Sequence, residues 1–150
     1  MCWTINLINL KKIFISSDHA GFKLKEFIKV HLEKKKYEYF DLGPKNDNKV
    51  DYPDYAHKVA KKVKLNKNHM GILVCGSGTG MNIAANKHKN IRAAQCFNLK
   101  STKLSRLHND ANIITLGSRL ITKKNALKFI SVFLNTKFDG GRHLKRVKKI

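Results

Sequence analysis

Three cysteines are few for 150 residues, and Cys2, Cys75 and Cys96 follow no repeated spacing. An odd, scattered set of thiols supports neither a disulfide framework nor a zinc site. Long apolar runs are missing too. The opening MCWTINLINLKK has no basic region ahead of its apolar residues and interrupts them with asparagine, so a secretory signal is not expected. No stretch approaches the length of a membrane span. A reducing cytoplasm is the expected setting. Acidic residues are scarce, 10 against 31 basic ones, for a formal charge of +21. Within that surplus arginine is rare, limited to Arg92, Arg106, Arg119, Arg142 and Arg146. Lysines are scattered rather than striped, so specific nucleic-acid binding is not expected, although charge alone keeps that reading in play.

What is present is an alternation of strand and helix patterns without a repeat or a low-complexity break. KIFISS (12–17) and YEYFDLG (37–43) read as strands, the second ended by Gly43-Pro44. Between them, 21–36 carries Leu24, Phe27, Ile28 and Leu32 at helical spacing. Residues 54–65 put Ala56, Val59, Ala60 and Val63 on one helical face. GILVC (71–75) is a short, continuously apolar strand of the kind buried on both faces. A helix near Thr79, a strand over 91–96, a helix over 98–108 and a strand over 111–117 follow. Thr122 is placed to cap a helix bearing Ala126, Phe129, Ile130, Phe133 and Leu134. Five strand-then-helix units in one 150-residue domain predict an open parallel sheet covered by helices. Such sheets bind ligands at the carboxyl ends of their strands, where Asp18, His19, Cys75 and a glycine loop fall.

The loop GILVCGSGTG (71–80) fits neither standard phosphate fingerprint. A dinucleotide motif from Gly76 needs glycine where Met81 stands, and a P-loop needs Gly-Lys-Ser/Thr where the chain has Met81-Asn82-Ile83. What remains is a set of backbone N–H groups gathered before a helix, a setting that favours an anion. A plain tight turn is the simpler reading. Cys75 likewise reads first as a small buried hydrophobe. Oriented N–H groups beside its sulfur would instead ease formation of a thiolate. Cys96 ends a strand with no such loop and is read as structural.

Taken together, SSDHAGFKLKE (16–26), DYPDYA (51–56), GILVCGSGTGMNIAANK (71–87), IRAA (91–94), LSRLHNDANIITLGSRLI (104–121) and FDGGRHLKRVKKI (138–150) resemble the ribose-5-phosphate isomerase type B family and its sugar-phosphate isomerase relatives. The resemblance starts at about Lys12, leaving 1–11 as an extension and 137–150 as a basic tail. It implies a Rossmann-like three-layer α/β/α sandwich with a five-stranded parallel sheet. It also implies isomerisation of ribose 5-phosphate and ribulose 5-phosphate without metal or organic cofactor. The implied assembly is a homodimer, or a tetramer built from it, with active sites between subunits. In that pattern Cys75 is the base, and His108 opens the sugar ring. Asp18, His19, Asn109 and Arg119 bind substrate, and Gly76, Ser77, Gly78, Thr79 and Gly80 stabilise the enediolate. Arg142 and Arg146, four residues apart, would share one face of a helical tail and grip the phosphate. Allose-6-phosphate or galactose-6-phosphate isomerase is the nearest alternative. A non-catalytic sugar-phosphate-binding module or a nucleic-acid binder would be of a different class.

Overall fold

A computed structural model describes residues 11–150. The expected extension over 1–11 lies, but for Lys11, outside the described residues, as does Cys2. Five strands and six helices alternate: β1 (Lys12–Ser17), α1 (Phe22–Lys34), β2 (Glu38–Asp41), α2 (Tyr52–Val63), β3 (His69–Cys75), α3 (Thr79–Ala85), β4 (Ala93–Gln95), α4 (Leu99–Asn109), β5 (Ile113–Gly117), α5 (Lys123–Asn135) and α6 (Arg142–Val147). The sheet is parallel throughout, in the order β2-β1-β3-β5-β4. The chain leaves β1 toward one edge and returns on the other side as β3. The point where that direction reverses lies between the carboxyl ends of β1 and β3, where an open α/β sheet leaves a crevice.

Strand periodicity decides the layers. Along β3, Met70, Ile72 and Val74 face one side and pack with Leu24, Ile28 and Leu32 of α1 and Phe129, Ile130 and Phe133 of α5. Leu73 and Cys75 face the other side, against Ala56, Val59 and Val63 of α2 and Met81, Ala84 and Ala85 of α3. Buried on both faces, β1, β3 and β5 are the inner strands, whereas β2 is an exposed edge. Side-chain caps fix two helix starts. Thr122 Oγ1 accepts from the Asn125 N–H at 3.1 Å, and Asn98 Oδ1 accepts from the Ser101 N–H at 2.8 Å.

The inward face of α1 differs from the one expected. Phe27 is 38% exposed, with the Lys123 ammonium over its ring. Lys25 takes the inner position and is completely buried. Its Nζ donates to Asp41 Oδ1 at 2.8 Å and to the Pro44 carbonyl at 2.7 Å. A buried ammonium is tolerated only with such partners. Burial opposes the charge on Asp41, but hydrogen bonds from Lys25, Lys29 and the Gly43 N–H outweigh it and hold the carboxyl below its ordinary range.

Candidate active site

The ends of β1, β3 and β5 converge on a cleft of about 280 Å³ lined by Asp18, Tyr52, Cys75, Gly76, Ser77, Gly80, Arg119 and Leu120. Its floor is held almost wholly by backbone. The Asp18 N–H donates to the Val74 carbonyl at 3.1 Å, and Asp18 Oδ1 accepts from the Gly21 N–H at 2.9 Å. The Ser118 N–H donates to the Cys75 carbonyl at 2.8 Å and the Arg119 N–H to the Gly76 carbonyl at 3.1 Å. These bonds stitch the turn after β5 onto the loop after β3. Asp18 therefore sits buried beside the crevice, the one buried carboxylate among the described residues.

Cys75 closes β3 and is 4% exposed. The chain then turns back so that the Gly78 N–H donates to Cys75 Sγ at 3.1 Å. That turn places Gly78 at φ +82°, a left-handed conformation that any side chain would strain, and Gly78 caps α3. Thr79 and Gly80 begin α3, and the Thr79 N–H donates to Ser77 Oγ at 3.3 Å. Gln95 at the end of β4 clamps the loop from outside, its Nε2 donating to the Ser77 carbonyl at 2.8 Å and to Thr79 Oγ1 at 2.9 Å. Arg119 lies across the loop, so close that a Cβ on Gly76 would fall 2.8 Å from its guanidinium. Cys96 offers the contrast expected of a structural thiol. It is buried without a glycine loop, and burial pushes its thiol above the ordinary range.

The remaining candidates lie elsewhere. His19 is half-buried, with Nδ1 accepting from the Val50 N–H at 3.4 Å, and does not line the cleft. His108 and Asn109 end α4, while Arg142 and Arg146 stand exposed on α6. None of these four lines the Cys75 cleft of the same chain. Instead the His108 ring stacks on His143, centroids 4.2 Å apart and planes 13° from parallel. Desolvation under that stack, with His108, Arg142 and Arg146 close by, pushes the His143 imidazole below its ordinary range. Tyr52, Leu120, Gln95 and His143 had no role from the sequence. Tyr52 lay inside a motif, DYPDYA, whose spacing says nothing of where α2 points its first residue.

Comparison with known proteins identifies the family. Residues 13–150 match the Ribose/Galactose Isomerase family model, and the chain belongs to that family. It is 46% identical over 139 residues, 92% of this chain and 91% of the relative, to a probable ribose-5-phosphate isomerase B of Mycoplasma pneumoniae. The solved ribose-5-phosphate isomerase B of Clostridium thermocellum superposes with a TM-score of 0.90 at 47% identity, covering 92% of this chain and 93% of that one. The enzyme of Mycoplasma genitalium, solved with bound ribulose 5-phosphate, superposes with a TM-score of 0.89 at 45% identity, covering 92% of each chain. The expected three-layer parallel α/β architecture is the one found. Among the described residues no helix is long and apolar enough to cross a membrane.

Proposed function

We propose that the chain is an aldose–ketose isomerase that interconverts D-ribose 5-phosphate and D-ribulose 5-phosphate. The observation that carries this reading is the buried Cys75 sulfur at the carboxyl end of β3, facing the N–H of Gly78. The reaction moves one proton between C2 and C1, with no net oxidation. It needs a base beside the carbon and donors for the oxygens that become an enediolate. Cys75, as thiolate, removes the C2 proton and returns it to C1. Backbone N–H groups from Gly76 to Gly80, with the Ser77 hydroxyl, stabilise the negative charge as it moves from sulfur to oxygen. Asp18 and Arg119 bind the sugar from the cleft wall, which Tyr52 completes, and His19 is assigned to it from its place next to Asp18 just outside that wall.

Sugar phosphates are mostly closed rings, so a proton must first pass between the ring oxygen and the anomeric hydroxyl. His108 carries that proton, Asn109 binds the adjoining oxygens, and Arg142 and Arg146 fork onto the phosphate. Since these four stand apart from their own chain's thiol, we assign them to the cleft of a second copy. The working unit is then a cytoplasmic homodimer of one-domain chains. The lysine-rich surface is read as composition, so binding to duplex DNA should be weak and vanish with salt.

The test is ribose 5-phosphate turnover by purified protein in chelator, with allose 6-phosphate and galactose 6-phosphate alongside. Conversion of the pentose phosphate that disappears in Cys75→Ala supports the assignment. A preference for a hexose phosphate would move the chain to the alternative activity, and binding without turnover would make it a sugar-phosphate-binding module.

A further inference from the structure

The stacked pair His108–His143 has a third neighbour. Among the described residues, a ring nitrogen of each histidine and a carboxylate oxygen of Asp139 lie within 4.8 Å of one another. The cluster is assembled by the tail turning back at Gly140–Gly141, where the Asp139 N–H donates to the Leu107 carbonyl at 3.1 Å and α6 comes to rest against α4. The Asp139 carboxylate has no hydrogen-bond or ion-pair partner among the described residues. In a chain so rich in lysine, a carboxylate left free beside two imidazoles is an unusual use of one of 10 acids.

We propose that His108, Asp139 and His143 form a binding site for a late first-row transition ion such as Zn²⁺, and that its occupancy switches the isomerase off. Two imidazoles and a carboxylate are a common protein donor set for Zn²⁺, leaving the fourth position to water. Bonds of about 2.0–2.2 Å in a tetrahedron bring ligand atoms to about 3.3 Å from one another. The rings are half-buried and Asp139 is exposed, so rotations of side chains alone can close the gap. Arg142 and Arg146 flank His143 and repel any cation. That repulsion weighs against hard ions such as Mg²⁺, which bind through charge, and less against ions that form strong bonds to imidazole nitrogen. Inhibition follows from the proposed role of His108, and to that extent it rests on the isomerase reading. A ring nitrogen whose lone pair is committed to a metal can neither take nor give the proton for ring opening.

Two readouts keep the ideas separable. The first is direct titration with Zn²⁺, and with Co²⁺ followed by its ligand-field absorption, on protein in which Cys2, Cys75 and Cys96 are all replaced by serine so that thiols cannot answer. Saturable binding should appear, Mg²⁺ should not compete, and Asp139→Asn or His143→Ala should weaken it at least about tenfold, the loss that even an outer-sphere partner can cause. Unchanged metal-free melting curves will show that the variants fold. The second readout is turnover by the otherwise unaltered enzyme. Zn²⁺ should inhibit it and chelator restore it, while Asp139→Asn retains metal-free turnover and escapes inhibition. Absence of saturable binding, or binding indifferent to Asp139 and His143, overturns the site. Equal inhibition of Asp139→Asn and the parent overturns the switch. Neither result bears on whether metal-free protein isomerises ribose 5-phosphate.

Discussion

The Cys75 cleft and the His108 cluster are built in opposite ways. The cleft is fixed by backbone: strand ends, main-chain hydrogen bonds from Asp18, Ser118 and Arg119, and a loop turned by Gly78. Its thiol and carboxylate are buried. The cluster stands on a helix end and a short exposed tail, held chiefly by a ring stack and one backbone bond. A base that meets a carbon-bound proton and donors that meet a developing oxyanion must be in place before the reaction. Groups that would open a ring and grip a phosphate, the roles proposed for the cluster, tolerate a looser mounting, which a second copy would tighten in the proposed dimer. Substitutions should therefore separate the two regions: those in the cleft act on turnover, and those in the tail beyond His108 on substrate affinity.

The largest effect belongs to Cys75→Ala, which should lower kcat by about 10²–10⁴-fold, the range of a general base, with KM nearly unchanged. Steady-state kinetics will check it. Cys75→Ser should do little better, since an alkoxide forms far less readily than a thiolate. Next comes the ion pair of the buried Lys25 with Asp41, which ties α1 to the edge strand β2. Asp41→Asn strands the fully buried Lys25 ammonium and should cost about 2–4 kcal/mol in denaturant unfolding, while Lys25→Met, which removes the charge along with its partner's task, should cost less. The folded carboxyl of Asp41 titrates below its unfolded value. Its contribution is therefore complete above the ordinary carboxylate range and fades as pH falls through the lower folded value. The acid limb of a stability-against-pH curve should flatten in Asp41→Asn.

Smaller and confined to affinity are Arg142→Ala and Arg146→Ala. Each should raise KM by the equivalent of about 1.5–3 kcal/mol of a charge-assisted phosphate bond, with melting temperature unchanged. Lys148→Ala, in the same tail, should do almost nothing. Equal small effects at all three positions would reduce the tail to a solvated basic segment and erase the contrast between the regions.

Local signals were legible in the sequence, and distant ones were not. Thr122 announced its helix because a cap reads its partner three residues on, and the unbroken apolar run before Cys75 announced a central strand. The loop's failure to match either phosphate fingerprint already reserved it for something other than a nucleotide. Lys25 was hidden because lysine ordinarily lies outside, and its counter-ion arrives only when β2 pairs with β1. The placement of β5 between β3 and β4 follows from packing rather than chain order. Tyr52 reaches the cleft, and His143 stacks on His108, only once α2 and the tail have settled on the sheet and on α4. Spacing along the chain carries no trace of either.

In the proposed dimer one chain supplies two half-sites serving different clefts, and subunit exchange reads that arrangement out in activity. Homodimers of Cys75→Ala and of His108→Ala are each expected to be inactive. After mixing and exchange, a hybrid dimer has one cleft with both lesions and one with neither, so activity should return to about one quarter of the unaltered enzyme: half of the dimers are hybrid at random exchange, each with one intact cleft of two. No recovery, with exchange proven by mass-tagged subunits, would place Cys75 and His108 in the same chain's site and rule out clefts shared between subunits.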